Sequence, residues 1–145
     1  MMIKSFSGQF EFLSNFFPSP ITFEGLEFPS VEHAFQAAKT NDQETRIKIR
    51  DCTTPGKAKR AGGKKGIIKD MDLVAWEAKK ISVMRELVRL KFQIPELREK
   101  LIATGDIKIQ EGNMWNDTFW GVSLTTGQGQ NWLGRILEEV RSEIQ

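Results

Sequence analysis

The chain has 145 residues, 39% of them hydrophobic and 28% charged, and a net charge of +2 at pH 7. That length accommodates one domain with a real core, spanning residues 1–145, and is too short for two. No apolar run approaches the ~20 residues of a membrane span, and MMIKSFSGQFEF lacks the unbroken apolar stretch of a secretion signal. A lone cysteine, Cys52, excludes an internal disulfide, so a reducing cytoplasmic setting is expected. So small a net charge gives no argument for a nucleic-acid binder.

In chain order, an early strand is expected near Ile3 to Phe10. LSNFFPSP follows as turn chemistry, with Pro18 and Pro20 excluding helix. Ile21-Thr22-Phe23 and Leu26-Glu27-Phe28 alternate around Glu24-Gly25, the pattern of a short hairpin. Ser30 is a good N-cap for a helix from Val31 to about Thr40. A second helix is expected from Gln43 to Asp51, and a short one after Pro55. Six cations lie between Lys57 and Lys69 with no acid among them, which reads as a solvated face. The longest helix is expected from about Met71 to Gln93, on the spacing of Val74, Ile81, Met84, Val88 and Phe92. Pro95 opens another, and Gly105 is placed to close it. Ile107 to Ile109 reads as a strand, and Glu111 to Gln130 as Gly- and Trp-rich irregular chain. A last helix from Asn131 should bury Leu133, Ile136, Leu137, Val140 and Ile144 on one stripe. The whole reads as an α+β, predominantly helical fold with a small antiparallel sheet.

The first helix carries the chemistry of interest. At about 100° per residue, Glu32, Gln36 and Lys39 fall within about 60° of arc, beside the apolar stripe Val31, Ala34, Phe35 and Ala38. Glu32 lies in the first turn, where the helix dipole favours an ionised carboxylate by about 0.3–1 kcal/mol. A lysine near a carboxylate and an aromatic wall has its pKa pushed either way; where burial wins, the amine becomes a nucleophile able to form a Schiff base. The spacing is equally that of a solvated edge on an amphipathic helix. His33 points away from the trio and reads as a packing or hydrogen-bonding residue. With one His and one Cys, a zinc site is not expected, and no acidic cluster suggests an obligatory metal.

The ordered blocks LSNF (Leu13–Phe16), FPSVEHAFQAAK (Phe28–Lys39), P-x-x-A-x-R-x-G (Pro55–Gly62), W-E-x-x-K-x-x-V-M (Trp76–Met84), KF (Lys91-Phe92) and D-x-x-W-G (Asp117–Gly121) resemble the YbiA-like, or NADAR, family. Gly127 through Gly134 reads loosely as its G-x-x-N-x-L-G. The resemblance runs from Phe10 to Arg141. It implies an N-glycosidase that cleaves the bond between a ribose C1 and a base nitrogen. The implied substrates are ADP-ribosylated guanine or phosphoribosyl-amino-pyrimidine intermediates of riboflavin synthesis. It places functional positions on Glu32, Lys39, Trp76 and Asp117. Two departures bear on phosphate contacts and substrate choice: Gly63 stands where many members have Arg, and the stretch around Asp117 is slightly longer.

Such a reaction builds positive charge at C1 and the ring oxygen, needs a group to capture C1, and needs a proton for the departing base. The roles expected are Glu32 supporting the cation or moving protons, Lys39 attacking C1, and Asp117 orienting hydroxyls or acting as second acid/base. Trp76 would wall the base, with Trp120, Asn15 and Gln36 as further substrate contacts. Arg60 is the best-placed cation for a phosphate, beside Gly62 and Gly63. There is no P-loop and no Gly-rich dinucleotide fingerprint, so no cofactor is expected. The alternatives are a non-catalytic ADP-ribose or nucleotide-binding module, and a nucleic-acid binder using the Lys57–Lys69 run.

Overall fold

Helices joined by three two-stranded ladders make up the computed structural model, which describes residues 1–145. They fall into two units, Asn15–Lys91 and, separately, Met1–Ser14 with Phe92–Gln145.

The Asn15–Lys91 unit begins with a hairpin of β2 (Ile21–Phe23) and β3 (Leu26–Phe28), paired antiparallel with Ile21 opposite Phe28. Glu24 and Gly25 both take positive φ, 49° and 87°, the geometry of a two-residue hairpin turn. Helix α1 (Val31–Ala37) follows at once, capped by Ser30, whose hydroxyl accepts from His33 N. Beyond Ala37 the chain tightens: Lys39 N bonds Gln36 O and Thr40 N bonds Ala37 O. Thr40 is then held from three sides, donating to Asp70, accepting from Asp42 N, and accepting Arg46 Nε at its carbonyl. Helices α2 (Gln43–Arg50) and α3 (Pro55–Ala61) are capped by Asp42 and Thr54, with Pro55 in the first turn of α3. Both pack on α1, as does α4 (Leu73–Lys91).

The buried face of α4 carries Trp76, Met84, Leu87, Val88 and Lys91, while Val74 is 83% exposed. The expected stripe through Val74 and Ile81 is therefore displaced. Trp76, Leu87, Lys91, Met84 and Val88 span the buried arc, and Val74 lies about 100° from its centre.

In the other unit, β1 (Met2–Ile3) pairs in parallel with β4 (Lys108–Ile109). The strand expected from Ile3 to Phe10 is cut short. Gly8, at φ 56°, turns the chain into a 3₁₀ helix, Gly8–Leu13, that buries Phe12 and Leu13. Helix α5 (Pro95–Ala103) starts on its proline and is followed by Gly105 at φ 65°, the left-handed stop expected there. β5 (Gly112–Asn113) pairs in parallel with β6 (Val122–Ser123) inside the segment read as irregular. Helix α6 (Trp132–Ile144) buries Leu133, Ile136, Leu137 and Val140 as expected, with Ile144 half-buried. Arg141 is buried too, donating to Thr104 Oγ1 and Ile107 O and so tying α6 to the end of α5. The fold is α+β and mostly helical, and the hairpin is its antiparallel sheet. No helix is long and apolar enough to cross a membrane.

Candidate active site

Helix α1, which ends at Ala37 and not near Thr40 as expected, sets Glu32 and Gln36 one turn apart on one face, and the tight turn after it brings Lys39 to the same side. Burial follows because α2, α3 and α4 all pack around so short a helix. Glu32 and Gln36 are 7% and 5% exposed, and Lys39 is half-buried. The trio is not a solvated edge. Gln36 Nε2 donates to Glu32 Oε2 at 2.6 Å, a short charge-assisted bond between successive turns. That commits the amide's donor end to the carboxylate. Its other end, Gln36 Oε1, is buried with no hydrogen-bond donor from the protein, an arrangement that costs about 1–3 kcal/mol if nothing else satisfies it.

Gly62, which ends α3, completes this corner. Its carbonyl accepts from Lys39 Nζ at 3.2 Å, and a Cβ placed on it would lie 2.1 Å from Gln36 Oε1. Only glycine lets α3 approach α1 this closely. The aromatic wall comes from both helices. Phe35, on α1, meets Trp76, on α4, edge to face with centroids 5.0 Å apart. Lys39 Nζ stands 6.0 Å from each ring centre, within range of a cation–π attraction.

This setting decides the amine's chemistry. Burial lowers the Lys39 pKa from its ordinary value; Glu32 opposes that, while Lys80 and Lys59 push in the same direction as burial. A lysine so depressed holds more of its population as the free, nucleophilic amine at neutral pH.

The remaining residues hold the corner in place or belong to other segments of the chain. Asn15 is bound to the site through its backbone, its carbonyl accepting from Glu32 N at 3.1 Å, and its side chain donates to Met84 Sδ. His33, 2% exposed, bonds Ser30 Oγ at 2.7 Å and Cys52 O at 3.0 Å; it fastens α1 to the end of α2, as its orientation implied. Arg60 is exposed in the last turn of α3, two residues before Gly62.

Asp117 and Trp120 belong to the other unit. Asp117 Oδ1 accepts from Phe119 N and Trp120 N, capping the turn. Buried Asn113 fastens the same loop by accepting from Asp117 N and donating to Asp117 O. Trp120 packs edge to face on Phe119, 4.8 Å between centres.

Sequence reasoning missed the part Phe35 plays here, and it read Gly62 only as an aid to a phosphate contact, whereas Gly62 meets Gln36 and Lys39. Phe35 was read as core, although its place four residues before Lys39 puts it on the neighbouring turn. A cavity of about 700 Å³, lined among others by Asp42, Lys48, Lys69 and Asp70, shares no residue with this cluster. Hydrogen bonds from Thr45 and Thr40 hold its two aspartates below the usual carboxylate range.

The fold and this corner define a class: a helix-rich α+β protein in which a desolvated amine and a carboxylate share one aromatic-walled helix face. The chain belongs to the NADAR family, whose domain model matches residues 3–145. It is 40% identical over 134 residues to the N-glycosidase YbiA of Escherichia coli, covering 90% of this chain and 79% of that one. A riboflavin biosynthesis protein of Vibrio vulnificus is 38% identical over 92% of this chain and 35% of its own length. The NMR structure of E. coli YbiA superposes with a TM-score of 0.80 at 35% identity, covering 99% of this chain and 87% of that one.

Proposed function

We propose that this chain hydrolyses the bond between a ribose C1 and a base nitrogen, with Lys39 as the nucleophile that captures C1. An N-glycosidase activity is supported by family membership and by the relatives named for it. The single observation behind the role of Lys39 is its amine, desolvated against Phe35 and Trp76 and placed in the field of Glu32.

In the proposed sequence, the lone pair of the base nitrogen expels the ring oxygen, which takes a proton that the Glu32 carboxylate relays from the Lys39 ammonium, leaving Lys39 as the free amine. Lys39 Nζ adds to the resulting C1 iminium. The base leaves with the proton shed by Nζ, and the sugar stays as an imine on the lysine. Water then adds to C1 with Glu32 moving its proton, and the sugar leaves as the carbonyl compound, returning the lysine ammonium and the carboxylate. Gln36 holds Glu32 through Nε2 and offers Oε1 to a ribose hydroxyl. Trp76 walls the base. Arg60 meets a phosphate, and Asn15 positions Glu32 through its backbone. Asp117 and Trp120 enter the proposal from the D-x-x-W-G block alone, and none of these steps runs through them.

Two substrates fit this chemistry: ADP-ribose attached to guanine, and a phosphoribosyl-amino-pyrimidine. The name of the Vibrio relative favours the second. Borohydride added during turnover should trap the sugar on Lys39, located by peptide mass spectrometry, with base release followed on both substrates. Trapping at another lysine, or turnover with none trapped, would overturn the role given to Lys39. Binding of ADP-ribose without release of base from either substrate would make the chain a binding module.

A further inference from the structure

Helix α1 ends at Ala37, so the proposed nucleophile, Lys39, lies on a tail beyond the helix. The backbone bonds of that tail are the tight kind that skips three residues: Lys39 N to Gln36 O and Thr40 N to Ala37 O, both 3.2 Å. Helix ends held this way have poorer hydrogen-bond geometry and are the first part of a helix to fray. Gly62 O steadies the tip of the Lys39 side chain at 3.2 Å. The backbone that carries the side chain has to be fixed by something else.

The next residue does this. Thr40 is 3% exposed, and three segments far apart in sequence meet on it. Its hydroxyl donates to Asp70 Oδ1 at 2.6 Å, in the stretch before α4, and accepts from Asp42 N at 3.0 Å, at the start of α2. Its carbonyl accepts from Arg46 Nε at 2.7 Å. The partners are themselves tied. Asp42 caps α2, and Arg46, with its side chain 10% exposed, reaches on to Glu24 in the hairpin turn at 2.9 Å. Bonds to a carboxylate and from a guanidinium are charge-assisted and hold a fixed geometry. The bond from Thr40 keeps the Asp70 carboxyl below its ordinary pKa, so this end of the anchor stays ionised at neutral pH. Valine has the shape of Thr40 and could make neither hydroxyl bond.

We infer that Thr40, held by Asp70 and Arg46, is a positioning residue for the reaction: it fixes the backbone of Lys39 so that Nζ meets C1 at attack distance, without itself touching the substrate. This rests on the reading of Lys39 as the nucleophile and adds the group that aims it. Reacting atoms must stand about 3–3.5 Å apart, and a misplacement of about 1 Å costs about 100-fold in rate. Lysine reaches its target on a flexible four-carbon stem, so looseness at its backbone grows toward Nζ. Glu32 lies in the first turn of α1 and is fixed separately, through Asn15 O. Loosening the tail therefore disturbs the attack more than the seat of the carboxylate.

The test uses the full chain and two readouts. The first is kcat and KM for release of base from a phosphoribosyl-amino-pyrimidine, taken well below the Tm of each variant. The second is the pH midpoint at which an amine-directed reagent labels Lys39, read by peptide mass spectrometry with no substrate present. Thr40→Val should lower kcat about 10- to 100-fold and leave KM within about 2-fold of the parent's. It should also move the labelling midpoint up toward that of exposed lysines, as the amine leaves its desolvated seat. Glu32, Lys80, Lys59 and Glu77, the charged neighbours of that amine, are the same in every variant. Thr40→Ser restores the hydroxyl and should bring both readouts back near the parent's. Asp70→Ala, at an exposed residue, guards against misfolding of Thr40→Val and should shift both readouts in the same direction as that variant.

A parental kcat in Thr40→Val, a loss seen in KM alone, or a loss that Thr40→Ser leaves unrepaired would overturn the positioning role. Failure of the parent to release base would sink the glycosidase reading, and the labelling midpoints would then decide the anchor by themselves. A shift in Thr40→Val and Asp70→Ala that Thr40→Ser reverses would keep it; midpoints equal to the parent's would overturn it.

Discussion

Gly62→Ala places one methyl group at the contact between α1 and α3, and the structure sets its cost. Gly62 has φ −89° and ψ −1°, which alanine tolerates, so the effect is steric and not conformational. The added Cβ would lie 2.1 Å from Gln36 Oε1, 2.8 Å from its Cβ and 2.9 Å from its Cδ. The amide end can swing aside, but Cβ is fixed to the backbone of α1. Either the two helices part, or Gln36 leaves its rotamer and gives up its bond to Glu32. Overpacking of this kind costs about 1–3 kcal/mol, and each kcal/mol lowers Tm by about 2–4 °C in a chain of roughly this size. Loss of the charge-assisted bond to Glu32 removes about 1.5–3 kcal/mol. If that bond supports the transition state, kcat/KM for base release falls about 10- to 100-fold.

Thermal denaturation and a base-release assay measure the two effects separately. Adding Gln36→Gly to Gly62→Ala removes the fixed Cβ as well as the amide, so Tm should recover, less about 1 kcal/mol for glycine inside a helix, while activity stays low, a non-additive double-mutant cycle. Parental Tm and kcat/KM in Gly62→Ala, or simple additivity in the double variant, would refute the claim that Gly62 sets the seat of Gln36.

Four further outcomes follow from individual contacts. Ser30→Ala removes both the N-cap of α1 and the partner of His33 Nδ1; urea unfolding should show a loss of about 1–3 kcal/mol. Asp117→Asn keeps an acceptor for Phe119 N and Trp120 N, so its Tm should stay near the parent's, whereas Asp117→Ala should lose about 1–2 kcal/mol; equal losses would contradict the turn-capping role. Lys39, depressed by burial, should react with an amine-directed reagent at lower pH than exposed lysines. Glu32→Gln deletes the group that raises its pKa, so the midpoint of labelling, read by mass spectrometry, should move further down; an upward shift would contradict their proximity.

The fourth concerns Lys91, whose pKa burial pushes down to about 7 from 10.5. Between those values the unfolded chain holds the proton and the folded chain does not. Stability should therefore rise with pH by up to about 1.4 kcal/mol per unit from this group. Lys91→Met should flatten the pH dependence of urea midpoints above neutrality.

What was legible in the sequence is what a single segment decides. Ser30, Glu32, Gln36 and Lys39 lie within ten residues, so helical spacing alone puts the acid, the amide and the amine on one face. Glu24-Gly25, Pro55 and Pro95 mark their turn and helix starts through the backbone geometry each residue type prefers. The strand expected from Ile3 to Phe10 failed because pairing is not local. The partners of Met2 and Ile3 are Lys108 and Ile109, and nothing between residues 3 and 10 reports where that partner ends. Val74 failed for a related reason: spacing finds a stripe on α4, but only packing against α1 selects which arc is buried.

The same division runs through the site itself. A nucleophile and its carboxylate can be read from one helix, because both are anchored to a common backbone seven residues long. A contact such as Gly62 against Gln36 cannot. The glycine's own φ is one that any residue adopts, so the demand for it arises only when another helix arrives. Lys59 and Lys80 are of this second kind. In sequence one belongs to a solvated basic run and the other lies four residues past a tryptophan. Once α3 and α4 both pack on α1, the two act on the amine of Lys39 from different helices, so changes on either helix can shift its reactivity while Glu32 and Lys39 stay in place.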